Sequence, residues 1–88
     1  MKYFAALLNM KDPEKSRQYR PQHIEHLQAR EKEGKIFARG RFADGGGLVI
    51  YMAESLEEAR KIAQADPFVT TGARELELHE WEVEIAKK

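Results

Sequence analysis

One hairpin signal organises this chain. Asp44-Gly45 stands at its midpoint, followed by Gly46 and Gly47, with a strand pattern on either side. Turns of the Asp-Gly type join antiparallel strands, because glycine accepts the positive φ that matches strand twist. Before the turn, Lys35 to Phe42 alternates, with Ile36, Ala38, Gly40 and Phe42 on one expected face. After it, Leu48 to Ala53 is an apolar run suited to a strand buried on both faces. Each flank of the hairpin then carries one helix pattern and, beyond it, one strand pattern.

On the N-terminal side, residues 3–8 are continuously apolar, and the segment Pro21 to Glu33 is rich in helix formers. Pro21 suits the first helical turn, where a missing N–H costs nothing. Gly34 suits the position just past a helix end. On the C-terminal side, Ser55-Leu56-Glu57-Glu58 fits a capping box. Leu56, Ala59, Ile62 and Ala63 follow at helical spacing, and Pro67 ends that helix. A last strand is expected from about Glu75 to Ile85. Leu76 and Leu78 share one phase there and Trp81, Val83 and Ile85 the other, so a β-bulge near His79-Glu80 is expected, with Trp81 in the core. The order is β-α-β-β-α-β, the ferredoxin-like pattern: an α+β fold with an antiparallel four-stranded sheet and two helices on one face. A single domain spans residues 1–88.

Composition decides what such a domain needs. Leu, Ile, Val and Phe make up 19 of 88 residues, just above the ~20% level below which chains tend to remain unfolded. A chain of this size buries only roughly 60–65% of its unfolded surface, and the absence of cysteine removes disulfides. Strands 1 and 3 are apolar on both faces, while helices cover only one, so the second sheet face is expected to meet a partner. Residues 1–44 carry ten basic and six acidic groups, and residues 45–88 five and nine. Lys35, Arg39 and Arg41 fall on one expected edge strand; Glu75, Glu77, Glu80, Glu82 and Glu84 fall on the other. Oppositely charged edges of two copies are expected to close a barrel-like homodimer.

Other partners are not called for. Basic and acidic residues balance at 15 each, and aromatics do not interleave with basic residues as in nucleic-acid grooves. No window approaches the ~20 apolar residues of a membrane span, and the apolar run at the N-terminus is too short for a signal sequence. A cytoplasmic protein is expected.

The functional clues are polar residues where the pattern calls for apolar ones. Ile24 and Leu27 define the inward stripe of the first helix, and Arg20 falls within it. At about 100° per residue, His23 lies roughly 70° from the stripe centre and His26 roughly 130° from it. His23 is therefore expected to reach the sheet and His26 to be solvated. Asp66 lies on the apolar face of the second helix at its C-terminal end, where a carboxylate opposes the helix dipole. Either it merely starts the Asp66-Pro67 turn, or a cation from the first helix compensates it. If His23 and Asp66 meet, the carboxylate fixes the imidazole tautomer and leaves the other ring nitrogen free for proton transfer.

The remaining motifs carry less. Ser16 and Ser55, the only serines, fall in a loop and at a helix cap, so acyl transfer lacks a nucleophile. His23-x-x-His26 lacks a third metal ligand at useful spacing. Gly45-Gly46-Gly47 precedes a strand and does not form a phosphate loop. Neither a metal nor a cofactor is expected. Arg39 and Arg41 suit either an anionic substrate or the charged edge.

The chain resembles the YciI-like family, known by its Asp-Gly-Pro-Phe-type motif. The matching pieces run collinearly over nearly the whole length. They are Arg20-Pro21-Gln22-His23 with Leu27, Glu33-Gly34-Lys35, Gly40-Arg41-Phe42 before the glycine hairpin, Ser55-Leu56-Glu57-Glu58-Ala59, Asp66-Pro67-Phe68 with Gly72, and Trp81. The chain departs at Arg41, where many relatives carry proline. The resemblance implies a dimeric α+β barrel with a His/Asp-centred site in a cleft beside the sheet. By position, His23 would be the acid/base group and Asp66 its partner, with Arg20, Arg41 and Phe68 contacting substrate. Some relatives resemble cofactor-independent dehydrochlorinases of chlorinated, hydroxylated aromatics. Two functions are therefore expected to compete: a lyase- or isomerase-like enzyme acting on a small anionic or phenolic molecule, and a non-catalytic ligand-binding or interaction module on the same scaffold.

Overall fold

A computed structural model describes residues 1–86 of the protein. Its elements are β1 (Lys2–Met10), α1 (Pro13–Gln18), α2 (Arg20–Lys32), β2 (Ile36–Arg41), β3 (Gly47–Ala53), α3 (Leu56–Gln64), α4 (Pro67–Thr70) and β4 (Arg74–Trp81). The strands form one antiparallel sheet in the order β2-β3-β1-β4. The ferredoxin-like order thus holds, with β2 and β4 at the edges and the two most apolar strands in the middle.

Strand alternation splits the sheet into two faces. Phe4, Ala6 and Leu8 of β1 and Val49, Tyr51 and Ala53 of β3 point to the helices, where they pack with Leu27, Ala59, Ala63 and Phe68 in the core. Tyr3, Leu7, Leu48 and Met52 lie on the opposite face with no helix over them. Phe37 and Trp81 join that face, still 45% and 42% exposed.

The helix ends obey local chemistry. After α2, Gly34 takes φ +74°. Its N–H bonds the Glu31 carbonyl at 3.0 Å, and the Lys35 N–H bonds the Arg30 carbonyl at 2.9 Å. These two bonds form a Schellman motif and release the chain into β2. Ser55 caps α3 through the Glu58 N–H, 3.2 Å from its Oγ. The Glu58 carboxylate reaches back to the Glu54 N–H at 3.4 Å and pairs with Lys35 Nζ at 3.1 Å, so the box closes one residue early.

Four expectations are corrected. The strand expected to reach Ile85 ends at Trp81, with regular pairing to β1 and no bulge at His79-Glu80. Residues 82–86 lie outside the sheet, and Ile85 is exposed. The bulge lies instead in β2, between Ile36 and Ala38, which turns Ile36 to the helix side and Ala38 to the bare side. Trp81, expected in the core, pairs with Tyr3 at the end of the sheet, because the missing bulge leaves it in the outer phase. Two short helices also stand where loop and turn were expected. Each opens with Asp-Pro: Asp12 Oδ1 accepts from the N–H groups of Glu14 and Lys15, and Asp66 Oδ1 from that of Phe68. The residue before a proline is held extended, and an extended aspartate is placed to cap the helix that the proline begins. Among the described residues, no helix is long and apolar enough to cross a membrane.

Candidate functional site

The site lies between α2, α4 and the helix-facing side of the sheet. His23 projects from the first half of α2, and Asp66 sits in the joint between α3 and α4. His23 Nδ1 is 2.8 Å from both carboxylate oxygens of Asp66. Asp66 is wholly buried and His23 is 7% exposed. A carboxylate oxygen can only accept, so Nδ1 carries the proton and donates it. Asp66 Oδ1 also accepts the Phe68 N–H at 2.9 Å. The carboxylate that seemed misplaced at the end of one helix is therefore the cap of the next, and the imidazole is its second partner.

Phe68 fixes the ring from the side. Its centroid is 3.9 Å from that of His23, with planes 13° apart. With Nδ1 bonded and one face stacked, the imidazole is held in one orientation. Its Nε2 makes no hydrogen bond with the described residues, and His23 lines a cavity of about 330 Å³. This arrangement presents a single bare ring nitrogen to a small molecule, with a buried carboxylate behind it.

The cavity wall is basic. Arg20 from the start of α2, Arg39 and Arg41 from β2 and Arg74 from β4 all line it, with no acidic side chain among the lining residues. Arg39 is occupied by Glu31, with Nε to Oε2 at 3.0 Å and Nη2 to Oε1 at 3.3 Å. That bond holds the Glu31 carboxyl below its ordinary range. Arg20 and Arg41 are exposed at the cavity mouth.

Sequence reasoning missed Arg74. It is 8% exposed, and its Nε and Nη2 donate to Ser16 Oγ at 3.0 and 2.8 Å. Its Nη1 donates to the Leu8 carbonyl at 3.3 Å, and its Cζ lies 4.4 Å from the Phe68 centroid. The signal was present: Arg74 shares the two-residue phase of Leu76 and Leu78, which marks it as inward-facing. Ser16, expected in a loop, sits buried on α1 with its hydroxyl committed to this guanidinium. Gly47 stands beside it; a Cβ there would crowd the Gly40 carbonyl at 3.1 Å while meeting Arg74 Nη1 at an ordinary contact distance of 3.7 Å.

His26 is a further correction. Expected in solvent, it is 8% exposed, with Nε2 3.1 Å from the Tyr51 hydroxyl. The buried stripe of α2 centres on His23, not between Ile24 and Leu27, so a residue three positions on shares its face. Burial pushes His26 down against the raising pull of Asp66. Burial, and then the Asp66 charge, pushes the Tyr51 phenol up. Both groups are thereby held neutral near pH 7. The two histidines engage different partners, and among the described residues no three His, Cys, Asp or Glu side chains are grouped to hold a metal ion.

Comparison with known proteins agrees with this architecture. The family model of the YCII-related domain matches residues 1–82. The uncharacterized protein YjpA of Bacillus subtilis (strain 168) is 34% identical over 82 residues, covering 92% of this chain and 96% of its own. Among solved structures, a similar fold is seen in 5-chloro-2-hydroxyhydroquinone dehydrochlorinase (TftG) of Burkholderia phenoliruptrix AC1100, in complex with 2,5-dihydroxybenzoquinone. The TM-score is 0.76 at 19% identity, over 91% of this chain and 93% of that one. With the family model spanning nearly all of its length and a relative one-third identical, the chain belongs to the YCII-related domain family.

Proposed function

We propose that this protein is a small cofactor-independent enzyme of the lyase or isomerase type, in which His23 moves a proton on a small anionic or phenolic molecule. The observation that carries this reading is the oriented imidazole: Nδ1 tied to a buried carboxylate and Nε2 bare toward the cavity. Nε2 takes a proton from a C–H or O–H of the substrate. The electron pair left behind either expels a leaving group or is reprotonated at another atom. Asp66 stabilises the imidazolium that forms in between, and the proton is returned to product or solvent. The dehydrochlorinase activity in TftG's name supports a reading of this type as an analogy of fold.

The test is incubation with panels of hydroxylated aromatics and small organic acids, with mass spectrometry as the readout. The proposal expects a product that wild type forms and His23→Gln does not. A ligand recovered unchanged from both proteins, after binding to both, favours a non-catalytic binding module on the same scaffold.

The protein's macromolecular partner is proposed to be a second copy of itself. The bare sheet face exposes Phe37 and Trp81 beside Leu48 and Met52. Light scattering at micromolar concentration should give twice the 10.2 kDa of the chain. Phe37→Asp, which places a charge on that face, should shift the mass toward monomer. A wild-type monomer would contradict this assembly.

A further inference from the structure

The unpaired arginines beside His23 carry an inference about what the site accepts. Arg74 is a guanidinium almost wholly removed from water, and burying a charge is costly unless a counter-charge repays it. Its hydrogen bonds go only to neutral acceptors, Ser16 Oγ and the Leu8 carbonyl. Of its five N–H donors these three bonds leave one unused on each terminal nitrogen. The nearest carboxylate influence, Asp66, is already engaged by His23 and the Phe68 N–H.

Like charge compounds the cost. Burial pushes the Arg74 guanidinium down, Arg20 adds to that push, and both cations line the same cavity. Among the described residues, Arg20, Arg41 and Arg74 form no ion pair, whereas Arg39 does. These same three unpaired arginines line both the cavity at His23 and a second cavity of about 660 Å³ toward the glycine hairpin. They mark the place where the two spaces join.

We infer that the junction formed by Arg20, Arg41 and Arg74 is an oxyanion subsite, and that the ligand of this site is a small molecule bearing a carboxylate or phosphate beside its reacting part. Two donors on one planar guanidinium suit the two-point recognition of such a group. Phe68 sets the geometry relative to His23. The His23 ring centroid is 3.9 Å and the Arg74 Cζ 4.4 Å from the same phenyl centroid, and both residues line the same cavity. The inference names the substrate class for the proposed His23 chemistry, and it rests on that reading only for the reacting end. The anion subsite stands without it.

The experiment compares three ligands that share a ring: phenol, benzoate and phenyl phosphate, titrated calorimetrically into wild type, His23→Gln, Arg74→Gln and the double variant Arg20→Gln/Arg41→Gln. Wild type and His23→Gln are both expected to bind one or both anions at least tenfold more tightly than phenol. Whether benzoate or phenyl phosphate gains more tells carboxylate from phosphate. Arg74→Gln is expected to erase the preference. Should that variant fail to fold, the double variant, at exposed positions, is expected to reduce the preference severalfold. Equal binding of phenol and both anions by wild type, no binding of either anion, a preference that survives in Arg74→Gln, or one left undiminished in the double variant overturns the subsite. Loss of turnover alone in His23→Gln, with anion binding intact, leaves it standing. Intact anion binding with no turnover by wild type counts against the proton-transfer reading and not against the subsite.

Discussion

Asp66→Ala is expected to cost about 3–5 kcal/mol of folding stability, because it leaves two buried N–H donors unsatisfied at ~1–3 kcal/mol each. The side chain is fully buried and serves three needs at once. It accepts from His23 Nδ1, caps α4 through the Phe68 N–H, and fills the joint between α3 and α4. Alanine leaves the imidazole N–H and the cap N–H without acceptors and opens a void beside Phe68. Against a total of about 5–15 kcal/mol for a domain, that loss is enough to unfold a large fraction of the molecules. Asp66→Asn keeps the volume and one acceptor oxygen, so its loss should be nearer the ~1.5–3 kcal/mol of a hydrogen bond to a charged group. Urea denaturation of the two variants measures both values. An alanine variant within about 1 kcal/mol of wild type would mean that the pair behaves like an exposed one.

His23→Gln should lower turnover by roughly 10²–10⁴-fold, the usual contribution of a positioned general acid or base. Glutamine is the informative replacement. Its amide can still donate to Asp66, so the buried carboxylate keeps a partner and the fold is preserved. It cannot take up a proton at the position of Nε2. Turnover within a factor of a few of wild type would show that the imidazole serves only as a hydrogen-bond donor. Binding and catalysis separate cleanly here, because Arg74 is held by Ser16 and the Leu8 carbonyl and does not depend on His23 for its hydrogen bonds.

Much of the fold was legible because its signals are local. The hairpin at Asp44-Gly45, the glycine after α2 and the serine before α3 each act within a few residues, and the structure uses all three. His23 and Asp66 were visible as polar residues in apolar phase on two separate helices, and the structure brings them together. What was not legible depends on tertiary neighbours. His26 looked solvated because the stripe of α2 was located from Ile24 and Leu27, its only large apolar residues. The helix in fact packs with His23 at its centre, where a carboxylate and a phenol from other elements satisfy the two imidazoles. Arg74 was overlooked because a charge at the start of a strand reads as solvated until Ser16 on α1 and the Leu8 carbonyl on β1 are seen to receive it. The register of β4 was misread because Val83 and Ile85 were counted in a strand that stops at Trp81.

The central claim is that Asp66 holds His23 with its Nε2 bare toward the cavity. Long-range ¹H–¹⁵N correlation spectra of the three imidazoles, recorded about two pH units above the ordinary histidine value of ~6.5, test it directly. The account predicts that neutral His23 carries its proton on Nδ1, with Nε2 unprotonated. A proton found on Nε2, or an even mixture of the two tautomers, would contradict it.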